Sequence, residues 1–333
     1  MKYFYVETID GSKLKVAKYV LGSTAFPGLK DDEKVFEIID RFLELGGNAI
    51  DTARSYGGEL DQRSFGLAEG YIGRYIRARK CRDKVIVITK GGFPELNPDL
   101  SFKRLRISRE AILGDFYTSY DNLRIGPIDI YLLHRDNPSL PVSYIMDTLH
   151  EIVDSGCVKA IGVSNWSMER ILEANAYAES KRKAKLTVSE IMWGYAYINH
   201  EMRKDPSLSI MNPELYKQYE KHRIPILAFT SQSGGLFPML HKGIETWETL
   251  SPIRKIFDCP ENRAKLLKVN EYCAKYGVSA AALVTAYLAC NKVECAPIIG
   301  CMSIEELEDT MSGSDLNLDQ ATIDWMDDVK YQS

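Results

Sequence analysis

The chain has 333 residues, 45% of them hydrophobic and 26% charged, enough for one large core or two of average size. A net charge of -4 argues against a nucleic-acid partner, because neutralising phosphates takes a basic face and the densest basic run, Lys181 to Lys185, reads as a solvated helix end. No apolar run is long enough for a membrane span, and seven cysteines without a CxxC pair suggest neither a disulfide framework nor a zinc ribbon, so a cytoplasmic protein with reduced thiols is expected.

In chain order, MKYFYVETIDGSKLKV alternates polar and apolar residues about Asp10-Gly11, which predicts a β-hairpin and not a signal peptide. A short strand over Tyr19 to Gly22 precedes a helix over Asp31 to Leu45, stopped by Gly46-Gly47. Asn48 to Asp51 is a second strand, Leu60 to Ala78 an amphipathic helix, and Val85 to Thr89 a β-branched third strand. The alternation continues. Helices are predicted from Ser108 toward Leu123 and over Val142 to Asp154, Met168 to Ala178 and Pro213 to Lys221. The strands between and after them are Ile128 to Leu133, Val158 to Val163, Leu186 to Ile191 and Ile224 to Phe229. Helices over Arg263 to Tyr276 and Ser279 to Ala289 lead to a last strand, Ala296 to Ile299, then to the helices Ile304 to Met311 and Gln320 to Asp328.

Eight β/α units without a reversal predict a closed (β/α)8 TIM barrel in a single domain over residues 1–333, with the hairpin under one end and a C-terminal helix packed outside. An open dinucleotide-binding sheet would place GxGxxG after its first strand. Here that strand ends in GSTAFPG, which lacks the spacing. Long connections over Gly91 to Ile107, Gly194 to Asn212 and Thr230 to Pro260 all follow strand C-terminal ends and mark the working face.

Four residues at that face carry chemistry: Asp51 and Tyr56 in NAIDTARSYG, Lys90 in VIVITKGG and His134 in IDIYLLHRD. A phenol has a pKa of about 10, so a tyrosine donating a proton near neutrality needs its anion stabilised, by roughly 4 kcal/mol for three pKa units. Lys90 beside Tyr56 would do this, Asp51 would hold the ammonium, and His134 would orient a carbonyl. The constellation predicts proton delivery to a carbonyl oxygen. A metal-dependent hydrolase would need histidines at several strand ends, and the other four of five are scattered through helices and loops. Phe26, Phe93, Trp166, Trp193 and Tyr195 follow strand ends as candidate walls of a substrate cleft, with Arg135 and Asp136 as polar contacts. Such walls suit a sugar, a polyol or an aromatic ketone.

These segments, together with GCVKAIGVSNW, ILAFTSQSGG and PIIG, resemble the aldo-keto reductases along almost the whole chain. The resemblance implies an NAD(P)-dependent reductase interconverting a small carbonyl and its alcohol, with Tyr56 as general acid/base. It also implies that Ser164 and Asn165 hold the nicotinamide carboxamide, that Phe229 stacks on the nicotinamide where the family usually has tyrosine, and that Gly300 lies beside the nucleotide. Gly234 and Gly235 would allow the pyrophosphate a close approach. Glu190 stands in place of the usual glutamine, either accepting from the carboxamide or facing solvent from a strand end. Met302, Glu305 and Glu306 replace the basic residues expected on a 2'-phosphate, which leaves NADP only narrowly ahead of NAD, with Lys242 or Arg263 as substitutes. The family likeness also extends to the nicotinamide-binding beta subunits of potassium channels, an alternative regulatory reading.

Overall fold

The computed structural model describes residues 1–57, 65–97, 102–198 and 205–328. Strands β1 (Tyr3–Glu7) and β2 (Lys13–Ala17) form the antiparallel hairpin. Its turn is tied by Asp10, which accepts from Thr8 Oγ1 at 2.6 Å and Ser12 N at 3.0 Å, while Gly11 supplies the positive φ of 81° that a tight turn needs. Next come β3 (Val20–Gly22), the single-turn α1 (Phe26–Leu29) and α2 (Asp32–Glu44), whose cap Asp31 accepts from the backbone of Glu33 and Lys34. After β4 (Ala49–Asp51) the described part of the next helix, α3 (Leu67–Arg79), begins at Leu67, and the predicted start at Leu60 lies outside the described residues.

Strand β5 (Ile86–Gly91) is followed by a small excursion that the sequence pattern did not suggest, β6 (Glu95–Leu96) paired antiparallel to β7 (Phe102–Arg104). The regular alternation resumes with α4 (Arg109–Leu123), β8 (Ile128–Leu133), α5 (Val142–Asp154), β9 (Val158–Ser164) and α6 (Met168–Ser180). Ser108 and Ser167 cap α4 and α6 by accepting from the backbone of Ala111 and Arg170. Then follow β10 (Leu186–Met192), α7 (Pro213–His222) and β11 (Ile226–Phe229). The long connection after β11 contains two short helices, α8 (Leu236–His241) and α9 (Pro252–Lys255), where only loop was expected. The chain closes with α10 (Pro260–Tyr276), α11 (Ala280–Ala289), β12 (Cys295–Ile299), α12 (Ile304–Met311) and α13 (Gln320–Asp327).

The eight parallel strands close in the order β10-β11-β12-β3-β4-β5-β8-β9, the barrel that the β/α alternation predicts. Its interior is one apolar layer drawn from every strand: Val20, Ala49, Ile88, Ile130 with Leu132, Ala160, Val188, Leu227 and Ala296. Phe4, Val6 and Val16 of the hairpin belong to the same cluster, so the hairpin stoppers the N-terminal end as expected. Hydrogen bonds fasten it from Ile9 N to Lys159 O at 2.8 Å, from Ala17 N to Asn48 Oδ1 at 2.8 Å and from Asn48 Nδ2 to Lys15 O at 2.7 Å. Outside the barrel the helices bury their apolar stripes on the strands. Among the described residues no helix is long and apolar enough to cross a membrane, and all seven cysteines are free thiols.

A barrel this narrow fixes side-chain size at specific positions. A Cβ on Gly162 would meet the carbonyl oxygen of Val188 at 2.4 Å and Leu132 Cδ2 at 2.8 Å. Gly162→Ala must therefore push β9 from β10, and a loss of about 1–3 kcal/mol is expected. Chemical denaturation of the two proteins side by side measures it, and equal midpoints would mean that the strands yield freely.

Candidate active site

Side chains along a strand alternate, so the positions two residues beyond the apolar interior layer also point inward, one level nearer the loop rim. Applied to β3, β4, β5, β10 and β11, that step reaches Gly22, Asp51, Lys90, Glu190 and Phe229; the same alternation reaches His134 past Leu132 and Ser164 past Gly162. Asp51, Lys90, His134, Ser164, Glu190 and Phe229 thus all point inward above the apolar layer. The ladder fixes the heights: Asp51 pairs with Ile88, Lys90 with Leu132 and Ser164 with Glu190, while His134 N donates to Gly91 O at 2.8 Å.

Lys90 is fully buried at the centre. Its Nζ donates to Asp51 Oδ1 at 2.6 Å, Asp51 Oδ2 at 2.8 Å and Thr52 O at 2.9 Å, and stands 3.2 Å from Tyr56 Oη. Tyr56 reaches the centre from the loop after β4, where Thr52 and Arg54 still bond backbone to backbone with β5 and a turn closes from Tyr56 N to Ala53 O at 3.0 Å. The His134 ring lies edge-on to Tyr56 with centroids 6.2 Å apart, and Phe93 packs on its other side at 4.8 Å. The four side chains that the sequence places at three separate strand ends meet in one cluster.

The electrostatics differ from the sequence expectation in one respect. Burial opposes the charge on Lys90, yet Asp51 and Glu190 outweigh it and hold the ammonium above its ordinary value. Burial drives the Tyr56 phenol upward, and although Lys90 pulls it down, Asp51 and Glu190 push it up again. The phenol of the free site is therefore raised, not lowered, chiefly because it is buried and also because two carboxyls share the one cation beside it. Burial, together with Arg135 and Lys90, keeps His134 well below the usual imidazole range and hence neutral, with no partner on its Nδ1.

Glu190 overturns one alternative drawn from sequence. It does not face solvent; it is buried, with Oε2 3.4 Å from Lys90 Nζ. Burial and the nearby Asp51 push its carboxyl up to about 8.

Around this centre lie groups suited to a nucleotide. Ser164 and Asn165 end β9, with the Asn165 amide donating to Ser164 Oγ at 2.9 Å and His134 O at 3.3 Å and accepting from Ser209 N at 3.1 Å. Asn165 sits at a positive φ of 62° and Thr230, just past β11, at 58°, backbone conformations that non-glycine residues adopt at a cost and that cluster at working sites. Phe229 is half-buried at the end of β11, and a Cβ on Gly300 would meet nothing within 4 Å, leaving open space past β12. Gly234 and Gly235 take positive φ of 64° and 80°. Arg254, which sequence reasoning missed, donates to Gly234 O at 2.8 Å and sets a cation beside those glycines. It belongs to the short helix α9, and a one-turn element leaves no periodic trace in the sequence.

Some expected substrate contacts are corrected. Trp166 is fully buried, its Nε1 donating to Arg135 O at 3.2 Å, because the left-handed Asn165 turns the chain back into the outer core. Phe26 is equally buried in that core at the start of α1. Tyr195 is packed away against Phe237 and Tyr287. Arg135 spans from His134 O to Ser207 Oγ and Asp205, and Asp136 pairs with Arg170 at 2.9 Å, so both brace the rim. Phe93 remains half-buried beside His134, and Trp193 lines a small apolar cavity with Met192, Ile198, Ile210 and Met211.

The sequence model of the Aldo/keto reductase family matches residues 18–330. The chain belongs to that family. It is 25% identical over 99% of its length to the uncharacterized oxidoreductase YrpG of Bacillus subtilis, covering 96% of that protein. It is also 25% identical to the putative aryl-alcohol dehydrogenase AAD14 of Saccharomyces cerevisiae, over 95% of this chain and 84% of the relative. The norsolorinic acid reductase stcV of Emericella nidulans is 26% identical over 89% of this chain and 72% of its own length. As an aldo/keto reductase the protein is an NAD(P)-dependent oxidoreductase acting on small carbonyl substrates.

Proposed function

We propose that this aldo/keto reductase reduces an aldehyde or ketone to its alcohol with Tyr56 as proton donor. The observation that carries the reading is the buried Lys90 ammonium bonded to both oxygens of Asp51 and standing 3.2 Å from Tyr56 Oη. A reduced nicotinamide, when bound, would supply a hydride to the carbonyl carbon. As charge grows on the carbonyl oxygen it becomes a far stronger base than a phenolate, so even a tyrosine with a raised pKa gives up its proton. Lys90 then stabilises the phenolate left behind, and Asp51 keeps Lys90 charged and in place. Neutral His134 orients the carbonyl oxygen against Tyr56.

The donor set fits a nicotinamide dinucleotide. Ser164 and Asn165 offer a hydroxyl and an amide to a carboxamide, Phe229 a ring to stack on, and Gly234 and Gly235 a close-approach cradle for a pyrophosphate beside Arg254, itself paired with Glu245 at 2.8 Å. Free thiols suit a cytoplasmic setting. The names of the aryl-alcohol dehydrogenases and of norsolorinic acid reductase favour aromatic carbonyls, while sugars and polyols stay within reach of a cleft that mixes Phe93 and Trp193 with polar groups. An assay of NADH and NADPH oxidation against a panel of an aryl aldehyde, an aryl ketone and a sugar aldehyde tests the proposal. Multiple turnovers with at least one carbonyl support it; retention of cofactor without turnover would refute it.

Discrimination between the nucleotides should be weak. Past β12, Glu306 Oε2 accepts from Met302 N at 2.8 Å and Glu306 N donates to Ser303 Oγ at 3.2 Å, so a carboxylate holds the start of α12 where a 2'-phosphate is expected. The two basic substitutes are engaged elsewhere, Lys242 with Asp309 at 3.1 Å and Arg263 with Asp258 at 2.8 Å. Dissociation constants for NADPH and NADH are expected within about tenfold of each other, roughly 1.4 kcal/mol. Glu306→Lys should shift the ratio toward NADPH, and calorimetric titration measures both effects.

A further inference from the structure

Two carboxyls and one ammonium, those of Asp51, Glu190 and Lys90, share the buried barrel core. Glu190 lies across the barrel from β4 and β5, buried, with Oε2 3.4 Å from Lys90 Nζ and reached by no hydrogen-bond donor. Lys90 has spent its three protons on Asp51, Thr52 O and the approach to Tyr56. The Asp51 and Glu190 carboxyls lie against the same buried ammonium, at 2.6–2.8 Å and 3.4 Å from Lys90 Nζ, and two carboxylates this close in a buried core cannot both remain ionised beside a single cation. We propose that Glu190 is a positioning residue that shares one proton with Asp51, and that the presence of this proton keeps Lys90 available to stabilise the Tyr56 phenolate, so that loss of the proton switches reduction off.

This rests on the reductase reading above. The groups facing Glu190 are Asp51 from β4, Lys90 from β5 and Tyr56 from the loop after β4. The strands flanking it bring Ser164 and Asn165 from β9 and Leu227 and Phe229 from β11, none of which titrates there. When the shared proton leaves, the cluster gains a negative charge; that charge competes with the phenolate for Lys90 and raises Tyr56 further. The direction is fixed: reduction falls as pH rises through the titration of the Glu190 carboxyl, pushed up to about 8 by burial and by Asp51. A glutamine at 190 keeps the shape and removes the titration.

The test has two readouts. In the cofactor-free protein, the infrared C=O band of a buried protonated carboxyl should be present at neutral pH, vanish on alkaline titration, and be absent from Glu190→Gln. In turnover at saturating NADPH, kcat/KM of the native enzyme should fall about 30-fold between pH ~7 and pH ~9.5 as one group near 8 ionises, while Glu190→Gln shows no such limb. Asp51→Asn provides a second handle, because it removes the competing carboxylate and should move the band's disappearance to lower pH. An alkaline limb unchanged in Glu190→Gln overturns the proposal, and so does a band insensitive to both substitutions. If the band titrates as expected but neither protein turns over any carbonyl, the reductase reading fails and the switch falls with it.

Discussion

Lys90→Met is expected to abolish reduction and to weaken the fold at once. Methionine matches the length of the lysine stem but brings no donor, so both oxygens of Asp51 and the carbonyl of Thr52 lose their partner inside the barrel. Removing one member of a buried ion pair typically costs about 3–5 kcal/mol, and the missing cation should lower kcat by roughly 10³-fold, since nothing else in the cluster bears the charge of a tyrosinate. A thermal melt and a turnover assay on the same preparation separate the two losses. Adding Asp51→Asn should recover much of the stability, because an amide tolerates the absence of a cation, yet restore no activity. A Lys90→Met enzyme with native turnover would remove Lys90 from the mechanism.

Tyr56→Phe isolates the proton from the scaffold. The ring contact with His134 and the cation above the ring, 4.9 Å from its centroid, are both kept, so the melting midpoint should move little. Only the hydroxyl is lost. Without a general acid kcat should fall by about 10²–10⁴-fold while nucleotide affinity stays close to native, because Tyr56 is not among the groups proposed to hold the cofactor. Fluorescence titration with NADPH beside steady-state rates checks both halves. Full activity would transfer the proton to another group, such as His134, whose Nδ1 has no partner among the described residues.

The legible parts of the chain were those with a period. Each of the eight barrel strands is a short apolar or β-branched run, and the helices between them carry caps such as Asp31, Ser108, Ser167 and Asn212 that mark their starts in the sequence itself. Asp51, Lys90, Glu190 and Phe229 could be placed together because each follows an inward apolar residue by two positions. Elements of two to six residues, β6, β7, α8 and α9, are too brief for a periodic signal, and Arg254 came into view only with the coordinates. Loop aromatics were the weakest point. Nothing in the string reveals that Asn165 adopts a left-handed φ, and that one dihedral sends Trp166 into the packing layer. Charge sharing was equally hidden: that Glu190 reaches across to Lys90 follows from the barrel's closure, which joins strands β5 and β10 that never pair.

The hairpin that fills the floor of the cylinder with Phe4, Val6 and Val16 turns it into a cup. Its open end is the loop rim, where Phe93 lies beside His134 and Arg135 is braced by Ser207 and Asp205. Selectivity is therefore a property of the brim: altering what this enzyme accepts means rewriting those surface segments while the vessel below stays untouched.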